Sequence, residues 1–304
     1  MARPFRFGVQ YTGTTLEDWQ DFARKVEDLG YSTLVATDHF GPQLAPLLSL
    51  VSAAAVTTRL RLACIVLDND FRHPAVTAKE AATADVLTGG RLELGLGAGW
   101  MMADYEKTHI PFDAPGVRYE RLKECVQIVK AFFGEEDAVT FEGKHYQVTG
   151  LDAQPRVVQK PRPPIMVGGR QKRMLSMAAR EADIVSISML DRRTPDGPPV
   201  PTFAEKVEWV KAAAGERFGA FEIHANSGGA VVTDNQRAAL EAAAERLQMP
   251  VEDVLKSPAN LIGSVDAIVD QLLRWRETCD VSYFVLQPPA MEAFAPVIAK
   301  LQGM

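Results

Sequence analysis

An Asp-His pair, Asp38-His39, stands where a short apolar run, Thr33 to Thr37, gives way to a polar loop. Histidine is the side chain best matched to proton transfer near neutral pH, and a carboxylate close by can shift its charge. The dipeptide also suits a plainer role, as a helix cap beside a rim histidine. A second group of glycines, Gly95-Leu96-Gly97-Ala98-Gly99-Trp100, closes another apolar run. Alternating glycines let backbone approach a flat ligand, and Trp100 could lend it a ring face. The alternative there is a tight turn with a core tryptophan. A third group, Val167-Gly168-Gly169-Arg170-Gln171-Lys172, opens a helix. Glycines at a helix N-terminus bare N–H donors to an anion, and Arg170 and Lys172 add positive charge. An ordinary turn between strand and helix is its rival reading.

The segment Cys64-Ile65-Val66 ends a fourth apolar run. Cys64 reads as a small buried hydrophobe, because no activating base lies near it in sequence. Zinc-protease HExxH, a P-loop and a GxSxG elbow are all missing. The histidines at 39, 73, 109, 145 and 224 have no metal-ligand spacing, so no metal site is expected. Asp104 follows the glycine run too closely to be the acidic residue of a dinucleotide site, which lies ~20 residues on.

These residues need elements to hold them. Apolar, β-rich runs fall at Phe5–Gln10, Thr33–Thr37, Leu60–Leu67, Leu92–Leu96, Ile165–Gly168, Ile184–Ser188, Ile223–Val232 and Tyr283–Leu286. Helical patterns separate most of them: Leu16–Leu29 with Gly30 as its stop, Pro74–Leu87, Arg118–Phe133, Lys172–Glu181 and Phe203–Arg217, with Phe294–Leu301 after the last run. Parallel strands require such crossovers, and strands covered on both faces alternate little. The pattern predicts an α/β chain folded as a TIM-like (β/α)8 barrel with loop insertions, a single domain over 1–304. A doubly wound open sheet would use fewer strands and carry a glycine fingerprint after Gln10, which is absent. In a barrel the chemistry sits where strands end, which is where all the residues above fall.

Three stretches interrupt the rhythm: Gly134–Pro164 with a hairpin-like Val139–Val148, Asp191–Pro201, and Gln236–Ile262 with two short helices. The charge balance is 33 basic against 39 acidic residues, net −6, with no Lys/Arg block, so nucleic acid is not an expected partner. Three cysteines without a CxxC argue against a disulfide framework. No secretory h-region and no apolar run of about 18 residues are present, so a cytoplasmic protein without a membrane partner is expected.

Taken in order, several segments resemble the bacterial luciferase-like superfamily of flavin and deazaflavin oxidoreductases. They are Thr37-Asp38-His39, Phe71-Arg72-His73-Pro74, the run from Thr88 to Trp100, Ile110-Pro111-Phe112, Arg118 to Glu124, Gly143-Lys144-His145-Tyr146, Lys160 to Gly169, and Leu261-Ile262-Gly263-Ser264 as the entry to the last helix. The resemblance covers almost the whole chain. It implies a dimeric barrel enzyme that binds coenzyme F420, a 5-deazaflavin, or alternatively FMN. It places Asp38 and His39 in catalysis and a bulge of Cys64, Ile65 and Val66 behind the ring, with a cis peptide at Ile65-Val66. It gives Gly97, Gly99 and Trp100 contacts to the ring or its chain, and Gly168, Gly169, Arg170 and Gln171 the phosphate. Two departures narrow the choice. Ala98 stands where luciferases carry an arginine, and Trp100 where F420-dependent glucose-6-phosphate dehydrogenases carry a glutamate. The reading is therefore F420-dependent hydride transfer to or from a small organic substrate, with a flavin or F420 reductase as a possible partner. Its rivals are an FMNH2-dependent monooxygenase using O2 and a partner flavin reductase, and a non-catalytic flavin-binding barrel. Loops Met101–Val117 and Asp191–Pro201 are expected to shape the substrate pocket, and nothing in them names a ligand.

Overall fold

The computed structural model describes residues 3–189 and 200–304. In chain order the elements are β1 (Arg6–Gln10), α1 (Leu16–Asp28), β2 (Thr33–Ala36), α2 (Pro46–Ala54), β3 (Arg61–Asp68), α3 (Pro74–Leu87), β4 (Leu92–Gly97), α4 (Met102–Thr108), α5 (Pro115–Phe132) and the pair β5 (Ala138–Glu142) and β6 (Gln147–Asp152). There follow β7 (Ile165–Gly169), α6 (Lys172–Glu181), β8 (Ile184–Ile187), α7 (Phe203–Ala214), β9 (Glu222–Asn226), β10 (Val231–Val232), α8 (Gln236–Leu247), α9 (Val251–Val254), β11 (Ile262–Gly263), α10 (Val265–Cys279), β12 (Val281–Leu286) and α11 (Met291–Leu301). Strands β1-β12-β9-β8-β7-β4-β3-β2 form a closed barrel, the expected (β/α)8 fold.

Two compact units divide the chain. One contains β1, β8, β9, β12 and their helices. Its strands pair in parallel, Phe7 opposite Phe284 and Ile187 opposite Ala225. Phe7 stacks on Phe284 and meets Phe294 edge-on, 5.5 Å between ring centres. Tyr31 donates to the Met291 carbonyl at 2.9 Å, fixing the turn after α1. Gly30 ends α1 with φ of 84°, the left-handed geometry that glycine adopts without strain. The other unit, residues 12–24 and 34–167, holds β3 and β4 with α2 to α5, and every candidate residue before Gly168 belongs to it.

Local chemistry explains most boundaries. Pro74 occupies the first turn of α3, and His73 caps it by accepting from the Ala75 N–H. Thr202 and Glu205 form a capping box at the start of α7. Pro115 starts α5 three residues before the expected Arg118, again as a first-turn proline.

Some expectations need correction. The run Ile223–Val232 is two strands, because Ser227-Gly228-Gly229 carries the chain away from β9. Val231–Val232 then pairs with β11 outside the barrel. The Ser264 entry opens α10, not the last helix, with Ser264 accepting from Ala267 N–H. Helices α2 and α4 interrupt stretches that had no helical reading. The hairpin and the two helices within Gln236–Ile262 are present. No described helix is long and apolar enough to cross a membrane.

Candidate active site

The end of β3 sets the site. Leu62 to Cys64 pair with Leu92 to Leu94, then the register against β4 shifts between Cys64 and Leu67. The Ile65-Val66 peptide inside that bulge is cis. Cys64 is fully buried, and burial pushes its thiol well above its ordinary pKa, so it is not a nucleophile. Ile65 and Val66 are half-exposed in a strand whose other apolar residues are buried. They form an apolar ledge at the strand end.

The glycines of β4 belong to the same device. A Cβ on Gly95 would land on the Cys64 carbonyl, and one on Gly97 on Val66 Cγ2. A Cβ on Gly99, whose φ is 72°, would meet the Tyr105 hydroxyl and Asp68 Oδ2. These glycines therefore also serve the packing of the bulge and of the loop after it. The space beside each is filled by the protein, and only their backbone is left to touch a ligand. Arg118 fastens the following loop by donating to the Ala98 carbonyl at 2.7 Å, with its guanidinium over the Phe112 ring.

Asp38 and His39 leave β2 in different company. The Asp38 carboxylate is buried. It takes a two-pronged bond from Arg72, at 2.6 and 3.0 Å, and another from the Asp68 N–H at 3.0 Å. The partner of His39 is Asp104 on α4. The imidazole Nδ1 donates to Asp104 Oδ2 at 2.7 Å, and Asp104 Oδ1 accepts from the Phe40 N–H at 3.2 Å. Asp104 is 3% exposed. A buried carboxylate on Nδ1 fixes the ring and its tautomer, leaving Nε2 as the exchanging position. Trp100 stands edge-on to His39, 5.8 Å between centres and 88° between planes. It is 62% exposed, so the core-tryptophan reading fails.

Behind this pair lies a second carboxyl group. Asp68 accepts from Tyr105 Oη, 2.8 Å to Oδ2, and from the Asp70 N–H at 3.0 Å. Burial raises its pKa to about 6, against the lowering effect of those two bonds. From sequence Asp104 was weighed only as the acid of a dinucleotide site and set aside, and neither Tyr105 nor Asp68 was singled out. The signal available was the short stretch Met102–Thr108, whose adjacent Asp104 and Tyr105 both face inward on one helical turn.

In the other unit, β7 ends in Gly168-Gly169 and α6 begins at Lys172. Gln171 is the N-cap and makes no side-chain cap bond. Arg170, Gln171 and Lys172 are exposed. A Cβ on Gly169 would land on Met174 Cγ, so that glycine serves the packing of α6. The expected pocket loop Met101–Val117 carries α4. The other, Asp191–Pro201, lies outside the described residues except for Val200 and Pro201. Among the described residues no group of three His, Cys, Asp or Glu could hold a metal ion.

The profile of the luciferase-like monooxygenases matches residues 1–276. Over 129 residues the chain is 30% identical to the FMNH2-dependent dimethylsulfone monooxygenase of Pseudomonas putida, an alignment covering 42% of this chain and 35% of that protein. Over 193 residues it is 31% identical to the F420-dependent glucose-6-phosphate dehydrogenase of Microbacterium testaceum, covering 60% and 56%. The chain thus spans less than two thirds of either relative. The coenzyme F420-dependent tetrahydromethanopterin reductase of Methanopyrus kandleri superposes with a TM-score of 0.76 over 98% of this chain and 97% of that one, at 19% identity. That likeness is one of fold.

Proposed function

Because the chain belongs to the luciferase-like monooxygenase family, we propose that it is an F420-dependent oxidoreductase acting on a small organic substrate. The observation that carries this reading is the His39–Asp104 pair, set beside Trp100, with the Ile65–Val66 ledge on the neighbouring strand β3. The donor set suits a flat, partly apolar ring system: a half-exposed aliphatic ledge, an exposed indole and one oriented proton-transfer group. When bound, the deazaflavin supplies hydride transfer at its C5.

The protein's part follows from its side chains. Asp104 holds the His39 ring, and Nε2 donates or accepts the proton that accompanies hydride transfer. Asp38 keeps Arg72 and the β3 end in place rather than exchanging the proton itself. Trp100 covers the ring edge. Gly97 and Gly99 offer only backbone, and Cys64 anchors the bulge from behind. Gly168, Gly169, Arg170 and Gln171 take the cofactor phosphate at the start of α6, where N–H groups and positive charge favour an anion. The reading includes a cytoplasmic homodimer and a separate reductase that renews the reduced cofactor.

The rival is an FMNH2-dependent monooxygenase, and the 30% identity to the dimethylsulfone enzyme supports it. Parallel titrations of the purified protein with F420 and FMN decide, with Trp fluorescence as the readout. F420 should quench it at lower concentration, and Trp100→Phe should lose most of the quenching. Trp19 is buried, and Trp209 and Trp275 sit on helices α7 and α10. Tighter FMN binding, with O2 consumed when reduced FMN is supplied, would overturn the F420 reading in favour of the monooxygenase.

A further inference from the structure

Trp100 is 62% exposed, and among the described residues its one ring contact is His39. Core packing therefore does not set its place, and the backbone that carries it must. That backbone leaves β4 through Ala98 and Gly99, where φ of 72° at Gly99 turns the chain. One side of the turn rests on Tyr105 and Asp68, the first groups that a Cβ on Gly99 would meet. Its carbonyl groups are held by Arg118, whose Nη1 donates to the Ala98 carbonyl at 2.7 Å and to the Gly99 carbonyl at 2.5 Å. Nε of the same guanidinium donates to the Asp113 carbonyl at 3.0 Å, and its central carbon lies 4.0 Å from the centre of the Phe112 ring.

Arg118 is buried, yet among the described residues it forms no ion pair with a carboxylate. A buried charge without a counter-charge destabilises a fold. Here three carbonyl dipoles and one aromatic face offset it, and all of that attraction fixes the turn before Trp100 and the approach to α5. Arg121 and Glu124 follow at three-residue spacing on α5, and each holds a different loop. Arg121 bonds Asp70 at 2.9 Å, beyond β3, and Glu124 accepts from the Lys144, His145 and Tyr146 N–H groups of the hairpin turn. Of the three, Arg118 is the one that reaches the end of β4. We propose that Arg118 is a positioning residue for the candidate active site. It fixes Trp100 against His39 by holding the Ala98 and Gly99 carbonyls, not by a bond to either ring. Its part in catalysis rests on the F420 reading above, and the placement of Trp100 does not. Lysine cannot replace it, because one ammonium on a flexible stem cannot meet all three carbonyls while lying flat on Phe112.

The test is fluorine NMR on the full chain labelled with fluorotryptophan, without cofactor. Four tryptophans give four resonances, and the one lost in Trp100→Phe belongs to Trp100. Arg118→Lys should shift or broaden that resonance and leave those of Trp19, Trp209 and Trp275 in place. His39→Asn should move it in the otherwise wild-type protein and move it less in Arg118→Lys, where the contact between the rings is already lost. Glu124→Gln releases the hairpin from the same helix and should leave it unmoved. If Arg118→Lys fails to fold, Arg118→Met keeps the stem, carries no buried charge and should displace the resonance as far. An unmoved Trp100 resonance in a folded Arg118→Lys or Arg118→Met protein would overturn the proposal. So would an equal shift in Glu124→Gln, or shifts of all four resonances together, since either means general loosening of α5. Titration with F420 then tests the part in the reaction. Arg118→Lys should bind it about tenfold more weakly, the size of one lost aromatic contact, and Glu124→Gln as wild type does. Unchanged affinity beside a displaced Trp100 would overturn that part. A wild-type protein that binds no F420 would instead sink the F420 reading, with the placement of Trp100 by Arg118 still decided by the resonances.

Discussion

His39 gives the residue-scale case, in which a side chain is legible in sequence but its partner is not. The imidazole is recognisable from its place after an apolar run. Its carboxylate is not the neighbour Asp38 but Asp104, 65 positions on. Adjacent side chains leaving a strand diverge, and Asp38 is turned inward onto Arg72. Only the fold of α4 brings Asp104 to the ring. This separation predicts a graded pair of variants. His39→Asn should keep cofactor affinity and lose about 10²–10⁴-fold in kcat, the usual cost of a missing proton-transfer group. One limb of the pH–rate profile should vanish with it. Asp104→Asn keeps the ring's neighbour and removes its charge, so its kcat should fall by less while affinity again holds. Measuring kcat and the cofactor Kd on the same preparations checks both. A His39→Asn enzyme with normal kcat would make the histidine a rim residue.

At the scale of elements, the glycines at the end of β4 were legible as unusual and illegible in purpose. A sequence shows that a side chain is missing, not what occupies its place. Here the occupant is the β3 bulge, with Val66 against Gly97. Gly97→Ala should therefore destabilise the fold by roughly 1–3 kcal/mol, as overpacking does. Val66→Ala in the same chain should restore part of that loss. Gly41→Ala, where a Cβ meets nothing within 4 Å, should be near neutral. Urea unfolding of the wild type, Gly97→Ala, Val66→Ala, the double variant and Gly41→Ala measures this, and additive effects of the Gly97 and Val66 changes would remove the contact as the cause. The start of α6 is the opposite case, since Gly168 to Lys172 announced a helix N-terminus and one is there. Gly169 is a poor place to test it, because Met174 blocks a side chain. Gln171→Asp at the N-cap is better. The carboxylate should stabilise α6 by about 0.5–1 kcal/mol through the helix dipole and cap, while repelling a phosphate. Higher Tm with weaker cofactor binding is the expected combination. Higher Tm with unchanged affinity would place the phosphate elsewhere.

For the whole molecule, the barrel was readable because eight apolar runs with helical spacers leave few alternatives. The inward layer of its strands was not readable, since parallel strands show no polar alternation. His224 on β9 illustrates this. It is 1% exposed, pairs its Nδ1 with Ser186 Oγ at 2.9 Å, and lies edge-on to Tyr283. Burial, with a smaller contribution from Arg6, lowers its pKa to about 3 from 6.5. Above pH 6.5 the residue is neutral in folded and unfolded chains and adds no pH dependence. As pH falls from 6.5 toward 3, the unfolded chain takes up a proton that the folded one refuses, so stability drops. The slope for one such group is about 1.4 kcal/mol per pH unit. Asp68 acts in the opposite sense. Its folded pKa of about 6 against 3.8 means that the folded state holds a proton more tightly between those values, and stability gains there as pH falls. The wild-type curve therefore mixes two opposed effects between pH 3.8 and 6. Comparison with His224→Gln separates them, because Asp68 is common to both proteins. The difference in unfolding free energy between variant and wild type should be constant above pH 7. Below 6.5 it should shift steadily in the variant's favour. Urea titrations at pH 7.5, 6, 5 and 4 give the difference directly. Parallel curves across that range would mean that His224 is protonated in the folded barrel, with a counter-charge the present geometry does not provide.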